Sequence, residues 1–248
     1  MPDVHRRSHG RLISLSEEVL MIVSKICALA LFAAVAAPAS AAAQEAPADD
    51  RPTGIAVGLT AGTLGIGPEV GFRISDHIGI RGNATFLGIS GDYDSGDIQY
   101  DGKIKLKSFG AMLDVYPMGG HFRISGGARI NKNYIRLDAV PTQPVEVGDA
   151  VYTPAQIGTL RGRGEVKDFA PALTLGWSGA NRKGFMFGFD AGVLFQGAVK
   201  VREFTATGAL AANATFRADL ERERRALQDD VNDYKVYPIA QFSIGYRF

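Results

Sequence analysis

From Thr53 onward, apolar and polar residues alternate along the chain, the period of a strand with one oily and one polar face. The closing stretch "QFSIGYRF" sets Phe242, Ile244, Tyr246 and Phe248 against Gln241, Ser243, Gly245 and Arg247. Seven earlier segments repeat the pattern, with apolar sets such as Ile55, Val57 and Leu59, or Leu173, Leu175 and Trp177. Three connections are short turns, at "SDH", "PMGGH" and "GANRKG". On the other side lie a tight "GTLG" and three long loops, at 89–103, 139–165 and 205–234. Strands of about 9 to 11 residues joined by short turns at one end and longer loops at the other predict an all-β fold. The expectation is an eight-stranded antiparallel transmembrane β-barrel over 53–248.

A soluble up-and-down barrel alternates too, but with its apolar face inward. Two features favour the opposite orientation. The polar faces carry Glu69, Arg73, Arg81, Asp114, Arg123, Arg129, Asp190 and Arg247, too many charges for a dry cavity. The apolar faces place Phe72, Phe122, Trp177, Phe185, Tyr246 and Phe248 beside the short turns, as an interfacial girdle requires. Register is then strongly specified. A one-residue slip would turn Arg129 and its neighbours into lipid, at about 2 to 4 kcal/mol each near the midplane.

The N-terminus adds a destination. After Met21, the expected start, Lys25 leads into "ICALALFAAVAAPASAAA", the pattern of a secretory signal peptide with a small-residue cleavage site. Segment 1–43 is therefore set apart from the fold, and 44–52, "QEAPADDRP", reads as a polar leader. The only cysteine, Cys27, falls inside the signal, so the mature chain has no thiol for disulfides, metal binding or catalysis. A formal charge of +1 gives no global field to attract nucleic acid.

The candidate chemistry lies on the inward faces and in the loops. Glu69, Arg73, Arg81, Asp114, Arg123, Arg129, Asp190, Gln196 and Arg247 are the expected lumen lining. Eight strands leave an interior just wide enough for side chains, so a paired charge network is one reading. The other is a narrow wet path, because inward glycines such as Gly58, Gly110, Gly176 and Gly188 remove side chains that would fill it. The loop "GDYDSGDIQYDG" carries Asp92, Asp94, Asp97 and Asp101, resembling a calcium loop without its closing Glu, so no metal is expected. These aspartates are candidates to attract cations at the mouth. The last loop holds "ATFRADLERERRALQDDVNDYK", an amphipathic helix with Ala218, Leu220, Leu227 and Val231 on its apolar side. Outside the excluded segment, His77 and His121 are the only histidines, both in short turns away from where a surface enzyme would act, so no catalytic residue is expected.

"LRGRGEVKDFAPALTLGW", "GFMFGFDAGVLFQGAVKV", the charged helical stretch and the closing aromatic strand together resemble the CarO-type outer-membrane proteins, the carbapenem-associated or ornithine-uptake porin family. The likeness runs from about Gly54 to Phe248 and is strongest after Gly158. Val199 departs from the pattern, where proline is expected before "KV". The resemblance implies a Gram-negative outer membrane, passive uptake of small amino acids, basic ones such as ornithine among them, and no cofactor. A non-conducting structural barrel is the alternative. Phe242, Ile244, Tyr246 and Phe248 resemble the C-terminal signal read by the barrel-assembly machinery, so lipids, that machinery and amino-acid solutes are the expected partners.

Overall fold

The computed structural model describes residues 54–95, 97–179 and 183–248. The start, signal-peptide and leader expectations fall outside the described residues. In chain order the strands are β1 (Gly54–Gly62), β2 (Gly65–Arg73), β3 (Ile78–Ser95), β4 (Ile98–Val115), β5 (Phe122–Asn131), β6 (Tyr134–Pro141), β7 (Val145–Val147) and β8 (Ala150–Tyr152). After a short helix, Pro154–Ile157, come β9 (Leu160–Glu165), β10 (Phe169–Ser178), β11 (Gly184–Leu194), β12 (Lys200–Val201) and β13 (Thr205–Ala206). Helix Ala214–Val231 precedes β14 (Tyr237–Arg247).

Eight of these strands close an antiparallel ring in the order β1, β2, β3, β4, β5, β10, β11, β14 and back to β1. The seam runs from Ala56 opposite Arg247 to Gly62 opposite Gln241. Beyond it, Phe248 N–H donates to the Ile55 carbonyl at 2.9 Å. Closure leaves no edge in the ring, which is how a sheet satisfies its backbone in hydrocarbon.

The alternation decides the faces. Leu59, Leu175 and Phe187 stand outward at 57, 53 and 60% exposure, while Arg81, Arg129 and Asp190 point to the axis and are buried. At the short-turn end Phe72, Trp177, Phe185, Tyr246 and Phe248 are all exposed, and Phe122 is half-buried. Phe185 meets Tyr246 edge-on at 5.6 Å, and Tyr246 meets Phe248 at 5.1 Å. An aromatic girdle of this kind suits the lipid–water interface.

The expected loops at 89–103 and 139–165 are corrected. β3 and β4 continue as one ladder to Ser95 opposite Ile98, and β6 and β9 extend this wall past the ring. Gly and Asp in "GDYDSGDIQYDG" signal turns locally. Packing overrides them: Ile98 and Tyr100 sit on the inner face of the extension, in a core with Val147, Leu160, Phe216 and Leu220.

The helix expected in the last loop is present, capped where the Asn213 side chain accepts from Thr215 and Phe216 N–H. Its seated face is Phe216, Asp219 and Leu220, while Ala218 is exposed and Leu227 and Val231 are half-buried. Phe216 makes the difference, since its ring meets Tyr152 at 4.8 Å inside the core.

Candidate functional site

The closed ring brings inward side chains from distant strands to one level of the lumen. Arg81 on β3 donates to Asp190 on β11 at 2.6 and 3.2 Å, to Asp114 on β4 at 3.2 Å and to Glu69 on β2 at 3.4 Å. Arg123 on β5 donates to the same Asp190 at 3.1 and 2.7 Å and lies 3.9 Å from Asp114. The side chains of Arg81, Arg123, Glu69, Asp114 and Asp190 are between 3 and 8% exposed. This planar, forked pairing is what guanidinium and carboxylate geometry favours away from water.

Arg129 sits nearer the long-loop end and, among the described residues, makes no ion pair with a carboxylate. It donates to Asn83 at 2.6 Å, Thr85 at 3.1 Å and Ser108 at 2.9 and 3.2 Å, and Asn83 in turn donates to Glu69 at 3.2 Å. Alternation places Asn83, Thr85 and Ser108 inward, yet nothing in the sequence singles them out as partners of Arg129. Only the register of β3 against β4 and of β4 against β5 does that.

Arg73 lines the short-turn end of the lumen and also secures the turns there. It donates to the carbonyls of Asp76 and Gly119 at 2.7 and 2.9 Å, and lies 3.8 Å over the Tyr116 ring. Arg247 is 5% exposed, and among the described residues its Nε and Nη1 have no hydrogen-bond partner. Gln196 is buried just beyond the end of β11. Among the described residues the lumen thus holds five buried arginines, 73, 81, 123, 129 and 247, against three buried carboxylates, Glu69, Asp114 and Asp190. The surplus is two positive charges.

Toward the long-loop end the lumen turns apolar. Leu64, from the turn between β1 and β2, packs with Met112, Leu194 and Ile239. That turn is pinned across the seam by Thr63 Oγ1, which donates to the Pro238 carbonyl at 3.0 Å, and by Tyr237, whose hydroxyl donates to the Thr63 carbonyl at 2.7 Å. No pattern marks Leu64 as a plug, because it sits in a turn.

The inward glycines serve the side chains around them. A Cβ on Gly176 would stand 2.9 Å from Arg123 Nε and collide with the Asp190 carboxylate, and one on Gly110 would collide with the Arg129 guanidinium. Near the short turns lies a cavity of about 30 Å³, bordered by Gly71, Gly79, Tyr116, Ser243 and Arg247. That is room for about two water molecules.

The remaining sequence candidates lie elsewhere. Asp92, Asp94 and Asp101 are in strands and Asp97 is in a turn, all exposed. Asp92 faces Asp101 across β3 and β4, and Asp101 shares the parity of outward Phe109, so this row faces away from the axis. His77 is exposed, while His121 stacks on Trp177 at 5.3 Å with Nδ1 2.6 Å from the Ser178 carbonyl.

At the long-loop end, helix Ala214–Val231 is locked to the β7–β8 hairpin. Tyr152 donates to buried Asp219 at 2.5 Å, Gly148 N–H donates to Glu223 at 2.9 Å, and Arg222 pairs with Asp149 and Asp219. Burial, and then the bond to Asp219, push the Tyr152 phenol up to about 12.

No family model matches the sequence, and no curated protein does. Solved structures do match in fold. The crystal structure of CarO2 from Acinetobacter baumannii superposes with a TM-score of 0.53 at 16% identity, over 79% of this chain and 99% of that one. CarO from the same organism gives 0.50 at 17% identity, over 79% and 98%. The ring of eight strands is thus the fold of the CarO barrels.

Proposed function

We propose that this chain is an outer-membrane β-barrel whose lumen is closed, and that it anchors a structured extracellular module in the membrane. One observation carries the reading. The Arg81 cluster crosses the axis and ties β2, β3, β4, β5 and β11 together through buried ion pairs. Breaking such a pair by removing one partner costs about 3 to 5 kcal/mol, so the cluster is a wall rather than a gate in rapid motion. The outward apolar band and its girdle support the membrane placement, with the short turns on the periplasmic side by the usual layout of such barrels. In proteoliposomes the protein should give no swelling above protein-free vesicles with glycine, lysine or ornithine. Flux of any of the three through the unmodified protein would overturn the reading.

Passive uptake of small amino acids is the second reading. Its support is the small cavity at the short-turn end, which Arg73, Arg81 and Arg247 border, together with the CarO fold. Under it the Arg81 cluster must part, and the surplus of two positive charges would then rank glycine above lysine and ornithine. A preference for the basic amino acids would require the arginines to leave the path.

A further inference from the structure

On the outer face of the wall beyond the ring, the cross-strand register sets like charges side by side. Lys103 on β4 is opposite Arg136 on β6, and Arg136 is opposite Arg163 on β9. Arg202 follows, its N–H donating to the Arg163 carbonyl at 2.8 Å. Neighbouring strands are about 4.8 Å apart, and like charges directly opposite destabilise a sheet. Part of this row is compensated within the protein: Glu165 lies 2.7 Å from Arg163 and 2.6 Å from Arg202, and Arg163 lies 4.1 Å over the Tyr134 ring. Among the described residues, Lys103, Lys105 and Arg136 have no ion pair.

The position of the row matters as much as its sign. Lys107, Lys105 and Lys103 climb the outward face of β4 from Phe109, which belongs to the lipid-facing wall. They lie about 7, 13 and 20 Å of strand beyond that ring. One step farther the same face turns acidic, with Asp92, Asp101 and Asp138 in register and Arg161 3.5 Å from Asp138. The face is therefore banded, basic beside the membrane and acidic away from it. A soluble polyanion would meet both bands, whereas an anion held in the bilayer surface meets only the lower one.

We propose that this band, with Lys103, Lys105, Lys107, Arg136 and Arg163, binds the phosphorylated headgroup of an outer-leaflet glycolipid. The proposal rests on the outer-membrane placement above but not on whether the lumen conducts. Detergent-solubilised protein, which reports no flux, therefore tests it separately. The probe is purified lipopolysaccharide against the same material after enzymatic dephosphorylation. Each basic residue near an anionic surface contributes about 5-fold in affinity, so the triple variant K103A/K105A/R136A should bind phosphorylated lipopolysaccharide about 100-fold more weakly. Its barrel is checked by retention of heat-modifiable migration on a gel, and Lys105→Ala alone, losing about 5-fold, stands in if the triple variant fails to fold. Parent protein binding both forms of the glycolipid equally, or folded variants binding as the parent does, would overturn the proposal. So would complete displacement by millimolar inorganic phosphate, which would make the site one for a free anion.

Discussion

Asp190 is the residue on which the closed lumen depends most. It is 4% exposed and accepts four charge-assisted hydrogen bonds, two from Arg81 and two from Arg123. Asp190→Asn keeps the shape, removes the charge and turns an amide toward guanidinium donors. Arg81 retains Asp114 at 3.2 Å and Glu69 at 3.4 Å, while Arg123 is left with Asp114 at 3.9 Å. The surplus of positive charge in the lumen rises from two to three. A buried pair broken on one side costs about 3 to 5 kcal/mol, and D190N should lower the unfolding free energy by that amount. The assay is reversible urea unfolding in phospholipid vesicles, followed by the fluorescence of Trp177, the sole tryptophan. D94N, at an exposed position near the far end of β3, is the control and should shift it by no more than about 0.5 kcal/mol. Adding Arg123→Gln to D190N should cost less than R123Q alone, because the pair is already broken. A loss below about 1 kcal/mol for D190N, or strict additivity with R123Q, would show that water enters and screens the cluster, and the lumen would not be closed.

Other substitutions probe the same architecture. Gly176→Ala should destabilise the barrel by about 1 to 3 kcal/mol by crowding Arg123 and Asp190, whereas Gly126→Ala, with nothing within 4 Å, should be neutral; equal melting of the two variants would argue for an open lumen. Phe216→Ala should cost the module at the long-loop end about 3 to 5 kcal/mol and expose the β7–β8 hairpin to protease, with the ring left heat-modifiable. Because burial and Asp219 raise the Tyr152 phenol from 10.0 to about 12, its neutral form contributes stability that is complete below pH 10 and lost as pH rises toward 12. Tyrosinate absorbance should show one late-titrating group that is missing in Tyr152→Phe.

The ring was legible because one physical rule governs every residue in it. Alternation assigns Arg81, Arg123, Arg129 and Asp190 to one side and Leu59, Leu175 and Phe187 to the other, and the penalty for charge in lipid fixes which side is out. The partners within the lumen were not legible, since they follow from strand register around a closed ring. Asp190 meets Arg81 across the axis although they lie 109 positions apart. The extension was hidden for another reason. The Gly and Asp content of "GDYDSGDIQYDG" is a genuine local signal for turns, overridden by burial of Ile98 and Tyr100 against a helix more than a hundred residues later. Without that register, Asp92 and Asp101 read as a loop at the mouth rather than neighbours on an outer wall.

The β1–β14 seam sets the order of assembly. Thr60 and the Phe242 carbonyl that it reaches at 3.2 Å are 182 positions apart, so this join needs nearly the whole described chain to be present. Until it forms, two strand margins stay unpaired and open to other chains. A carrier that shields those margins before insertion would raise the yield of folded protein more than any change within the hairpins.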